Sequence, residues 1–189
     1  MKKKITIFAL IAVCLSLLAY GTTAYFTYED KATNVIVAGN IKIELQVLSV
    51  PAGGGDPVEN DDAIDVLPGY AVSKIVQVKN KGSNAAWIRL SVDKILALAE
   101  GIAGEADVSL VSYNLNTEYW KEKDGFYYYK DMLNPGETTK PLFTEVLFSP
   151  KMGDMYQQSK ATIHVIAYAT QVANNGTDVF SAAGWPSAN

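Results

Sequence analysis

Apolar residues in this chain recur at every second position, and that pattern limits what it can fold into. From Asn40 to Val47, Ile41, Ile43, Leu45 and Val47 fall on one side and Lys42, Glu44 and Gln46 on the other. A period of two marks a half-buried strand, because successive side chains point to opposite faces. The same alternation runs through Ala86 to Val92, with Trp87, Arg89 and Ser91 set against Ile88, Leu90 and Val92. It returns in Ala161 to Val172, where Ile163, Val165 and Ala167 oppose His164, Ile166 and Tyr168. Further strands are expected over Val72 to Lys79, Val108 to Leu115, Glu118 to Lys121 and Leu142 to Phe148.

The segments between them carry turn chemistry. Leu67-Pro68-Gly69 and Asn134-Pro135-Gly136 are turns, Asn80-Lys81-Gly82-Ser83 ends a strand, and Asp124-Gly125 signals a tight hairpin. Pro51 to Asp62, with three consecutive glycines, reads as a loop. Two short helices are expected, over Ile95 to Ala103 and from a Thr177 cap to Ala183. Many strands separated by turns predict an all-β, antiparallel sandwich with minor short helices.

The N-terminus has a different character. Lys2, Lys3 and Lys4 precede an apolar run from Ile5 to Leu18, and Thr22-Thr23-Ala24 supplies the small residues of a cleavage site. That is the pattern of a secretory signal peptide over residues 1–24, cut between Ala24 and Tyr25. The alternative is an uncleaved anchor, but the apolar run is short of the roughly 20 residues that span a bilayer. Cleavage leaves 165 of 189 residues, a size suited to one domain, here placed at residues 40–189 after an arm at 25–39. The only cysteine, Cys14, departs with the leader, so the secreted chain has no disulfide and no thiolate metal site. Net charge moves from −4 to −7, which argues against nucleic acid and anionic membranes as partners. A membrane is expected only for the precursor.

The arm is where a role suggests itself. Tyr25, Phe26 and Tyr28 are apolar and β-prone, a polar stretch follows, and Val35, Ile36 and Val37 close it. One reading makes it the first strand of its own sheet. The other makes it a donor strand that pairs with an exposed sheet edge of the next molecule. Head-to-tail contacts of that kind do not close, so they build filaments.

Three stretches carry a family resemblance. Gly21-Thr22-Thr23-Ala24-Tyr25-Phe26 followed by Lys31-Ala32-Thr33 and Ala38-Gly39-Asn40-Ile41 resembles the N-termini of the TasA/camelysin family. Leu67-Pro68-Gly69 through Asn80-Lys81-Gly82-Ser83 looks like that family's strand, Asn-x-Gly-Ser, strand segment, and Ile163 to Gln171, ending Ala167-Tyr168-Ala169-Thr170-Gln171, is similar to its last core strand. Asp93 to Asp131 carries no match. The resemblance implies a jelly-roll-like sandwich and export cut by a SipW-type signal peptidase. It also implies a place in extracellular biofilm-matrix fibres at the cell surface, joined by donor-strand exchange with further copies and with related matrix proteins.

Catalytic chemistry finds little support. Some relatives of that family are labelled metalloproteases, but zinc hydrolysis needs several ligands at set spacing, and the sole histidine, His164, lies in a strand. No nucleophile elbow and no phosphate-binding glycine motif occur, so neither an enzyme nor a cofactor is expected. Asp56, Glu59, Asp61 and Asp62 are candidate calcium ligands, with a solvated loop as the plainer reading. Tyr119, Trp120, Tyr127 and Tyr129 are a candidate surface aromatic patch, set against a reading in which one face of that segment lies in the core. An exposed patch would suit a monomeric surface-binding module for polysaccharide or protein, the alternative to a fibre subunit.

Overall fold

The longest pairing in the molecule joins two twelve-residue strands, β6 (Ala86–Ala97) and β11 (Lys160–Gln171), antiparallel along their whole length. Their common inner face carries Ile88, Leu90 and Leu96 against Ala161, Ile163, Val165, Ala167 and Ala169, all buried. In this computed structural model, residues 35–37, 41–60 and 62–186 are described. They form two sheets. The first runs β1 (Val35–Val37), β11, β6, β9 (Phe126–Tyr129), β8 (Trp120–Lys123), with β4 (Ile64–Asp65) also on β11. The second runs β3 (Val58–Glu59), β2 (Ile43–Ser49), β5 (Ala71–Asn80), β10 (Phe143–Phe148), β7 (Val111–Tyr113). The fold is a β-sandwich, antiparallel apart from the parallel β1–β11 pair.

Alternation explains the core. On β5, Val76 and Val78 are fully enclosed, and their partners Val47 and Leu45 on β2 face the same interior. Phe143, Val146 and Phe148 extend that layer along β10, across a bulge between Phe143 and Glu145.

Turn chemistry sets the corners. Asp124 (φ 51°) and Gly125 (φ 78°) form a two-residue turn between the paired Lys123 and Phe126, the left-handed geometry that matches strand twist. Leu67 to Tyr70 closes with the Tyr70 N–H donating to the Leu67 carbonyl at 3.0 Å, and Gly69 takes the positive φ (81°) that a Pro-Gly turn demands.

Several expectations are corrected. Ile95 to Ala103 is not a helix. Ile95–Ala97 continues β6 because each residue finds a ladder partner on β11, and that pairing outweighs a weak helical preference of Leu and Ala. Thr177 to Ala183 is not a helix either. Asp178 Oδ1 accepts from the N–H groups of Phe180 and Ser181 and holds a turn. The helical residues described are two 3-10 turns, Val108–Leu110 and Asp154–Tyr156, so the strand expected from Val108 shortens to Val111–Tyr113. The loop over residues 51–62 contains β3, which pairs with the end of β2.

Candidate functional site

β1 sits at a sheet edge. Val35, Ile36 and Val37 lie opposite Ala167, Tyr168 and Ala169 in parallel register, and Val35 packs against the core. β4 pairs with Lys160 and Ala161 on the same side of β11, because β6 occupies the other side throughout. Thr162 to Ile166 is therefore flanked on that edge by β4 at one end and β1 at the other. Ile163 and Val165 in this stretch point into the sandwich core, while His164 is exposed and lies across from Asp93 of β6. Ala24 of the expected cleavage site and Tyr25, Phe26 and Tyr28 of the arm lie outside the described residues.

Of the four residues expected in a surface aromatic patch, Trp120 and Tyr129 are buried and Tyr119 and Tyr127 are half-buried. Trp120 is 2% exposed and Tyr129 7%, and Tyr119 and Tyr127 pack against the same core cluster. Trp120 and Tyr129 pack at a tilt of 53° with centroids 5.1 Å apart, and the Trp120 indole N–H donates to the Lys140 carbonyl at 2.9 Å. Burial raises the pKa of the Tyr127 and Tyr129 phenols.

The opposite face of β9 holds a cluster that the sequence did not suggest. Residues 172–186 fold back over the outer face of the first sheet and bury Trp87, Tyr128 and Val179. Arg89 sits at the centre, its guanidinium carbon 3.9 Å from the Phe126 ring centroid, 4.7 Å from Trp185 and 5.2 Å from Tyr168. It donates to the Pro186 carbonyl at 3.2 Å and the Tyr128 hydroxyl at 3.3 Å. Asn175 ties down the same strap, accepting from the Ala183 N–H at 2.7 Å and donating to its carbonyl at 2.9 Å. Cation–π contacts and charge-assisted hydrogen bonds make Arg89 a staple for the strap.

The acidic loop lies at one end of the sandwich. Asp56, Glu59 and Asp62 are exposed, and Asp61 lies outside the described residues. Among the described residues no three His, Cys, Asp or Glu side chains gather closely enough to hold a metal. The carbonyls of Asn60 and Asp62 accept from the buried Lys74 ammonium at 3.3 and 3.4 Å. A groove of roughly 440 Å³ opens beside it, lined by Val50, Asn60, Asp62, Ile64, Leu67 and Val72 among others.

At the other end, Lys81 bridges Glu44 at 3.0 Å and, with the Gln46 amide, holds that carboxyl below its usual range. No family profile, curated protein or solved structure matches the chain.

Proposed function

We propose that this chain is a secreted bacterial matrix protein of the TasA/camelysin kind. In this reading it polymerises by donor-strand exchange of the arm that signal peptidase releases. The observation that carries the reading is the edge of β11. Val35–Val37 already behaves as strand, at the end of an apolar arm, on the edge where Thr162 to Ile166 stands between β4 and β1. A strand seated there lengthens the first sheet and covers backbone groups of an edge position. The competing reading, a monomeric module binding through surface aromatics, loses its main support because Trp120 and Tyr129 are in the core.

The test is negative-stain electron microscopy of the chain starting at Tyr25, beside the same chain lacking residues 25–37. Filaments in the first sample and none in the second support strand exchange. Monomers in both reject self-assembly by this chain.

A further inference from the structure

The two ends of the sandwich differ in charge and in apolar exposure. One end gathers the start of β5, the end of β6, the start of β11 and the loops beside them. Its described segments, residues 48–60, 62–75, 93–112 and 144–164, hold ten acidic and four basic residues. Three of those four basic residues are engaged with the protein itself, Lys160 through an ion pair with Asp65. The Lys74 ammonium is buried on backbone carbonyls, and Lys94 donates to the Val111 carbonyl at 2.6 Å. The other half, residues 41–47, 76–92, 113–143 and 165–186, holds eight basic and seven acidic residues. Lys42, Lys81 and Lys140 are exposed there around the end of β5, since Lys81 N–H bonds the Lys42 carbonyl and Thr138 bridges Lys79.

The acidic end is also the apolar one. Val50, Val58, Leu67, Tyr70, Ile95, Ile102, Val108 and Met155 are exposed there, and among the described residues the only other large exposed apolar side chains are Met132 and Phe180. Tyr70 is 70% exposed beside the groove that Leu67 and Val50 line. Water contact on this scale at one end of a small domain marks a docking surface. Its charge selects the occupant, because an acidic rim repels an acidic partner and draws a basic one.

We propose that the acidic, apolar end receives the lysine-bearing end of a second copy of this chain. This rests on the fibre reading and extends it, naming the surfaces that bring subunits end to end before a strand is exchanged. Unequal ends on one chain give a heterologous contact, which repeats along a line.

The test uses the chain starting at Tyr25 and two charge-reversed variants, Asp56→Lys with Glu59→Lys, and Lys42→Glu with Lys140→Glu. All four positions are exposed, so the fold is retained, and circular dichroism checks this. Sedimentation velocity is run at about 10 mM salt, where the screening length is about 30 Å, and at about 1 M, where it is about 3 Å. The parent chain should associate at low salt and dissociate as salt rises. Each variant alone should associate at least about tenfold more weakly, because the first takes most of the charge difference from the acidic end and the second turns the lysine-bearing end net acidic. An equimolar mixture should recover association, since each variant offers the end that the other lacks. Parent-like association by either variant alone, a mixture no better than its components, or a parent that is monomeric at both salts overturns the proposal. Charge-patterned association without filaments would reject strand exchange while supporting the docking surfaces, so the two failures are distinguishable.

Discussion

Asn80 gives the sharpest test of how the sheets are joined. It ends β5, where the chain leaves the second sheet for the first, and it is fully buried. Its Nδ2 donates to the Asn84 carbonyl at 2.8 Å and the Leu133 carbonyl at 2.9 Å, and its Oδ1 accepts from the Gly82 N–H at 2.9 Å. The side chain thus ties the crossover loop to the segment around Leu133, another enclosed core residue. Asn80→Ala removes three hydrogen bonds at about 1 kcal/mol each, a loss of about 3 kcal/mol. The Leu133 carbonyl keeps the Ala86 N–H at 3.0 Å, so the cost should not climb far above that sum. For a domain of this size, about 3 kcal/mol lowers Tm by about 6–12 °C. Asn80→Asp should cost more at pH 7, since it turns a carboxylate oxygen toward two carbonyls in the interior. The new carboxyl would then have a raised folded pKa, so stability of that variant should recover as pH falls and the proton returns. Differential scanning calorimetry measures both. An Asn80→Ala melt within about 2 °C of the parent, or an Asn80→Asp protein more stable than Asn80→Ala at pH 7, would refute the reasoning.

Three further outcomes follow from particular contacts. A Cβ on Gly82 would stand 3.1 Å from the Lys42 N atom and 3.2 Å from Asn80 Oδ1, so Gly82→Ala should destabilise by about 1–3 kcal/mol in denaturant titration, and a neutral result would mean the loop yields freely. Tyr113 stacks on Phe143 with centroids 4.4 Å apart, and its buried hydroxyl has no partner among the described residues. Burial raises its pKa above 10.0, favouring the neutral form, so its stabilising contribution holds below about pH 10 and is lost as pH rises through the folded value. Tyr113→Phe should therefore match or exceed the parent by up to about 1 kcal/mol at pH 7 and lose less stability above pH 10 in calorimetry, whereas a clearly weaker protein at pH 7 would contradict this. Arg89→Leu should free the strap over residues 172–186 at a cost of about 1–3 kcal/mol, seen as faster proteolysis there with the sandwich intact; unchanged cleavage would deny Arg89 its stapling role.

The sequence made the long strands legible because apolar residues alternate along them, even where the strap later covers part of the outer face. β2, β5, β6, β10 and β11 fall where alternation puts them, and the Pro-Gly and Asp-Gly turns lie where their backbone demands place them. β3 and β4 were invisible because two residues have no period, and they exist through pairing with β2 and β11. Phe126-Tyr127-Tyr128-Tyr129 defeats side assignment because all four are aromatic, and both faces of β9 prove to be covered. One cover is the sandwich interior and the other is a strap from residues far along the chain, so Arg89 read as an outward polar residue when it is a stacked anchor. The end-to-end charge asymmetry emerges only when the topology gathers separate segments.

A disulfide trap tests strand exchange most directly, since the chain starting at Tyr25 contains no cysteine to confuse it. Ala32→Cys in the arm, the position that the Val35–Ala167 register carries opposite His164, and His164→Cys on exposed β11 are placed in one chain starting at Tyr25, which is then oxidised mildly and run on a non-reducing gel. Donor-strand exchange predicts a ladder of covalent oligomers that collapses on reduction and is absent from either single variant. A monomer cross-linked within itself, with no ladder, would show that the arm stays on its own β11, where Val35–Val37 already pairs, and does not pass to a neighbour, which contradicts the account.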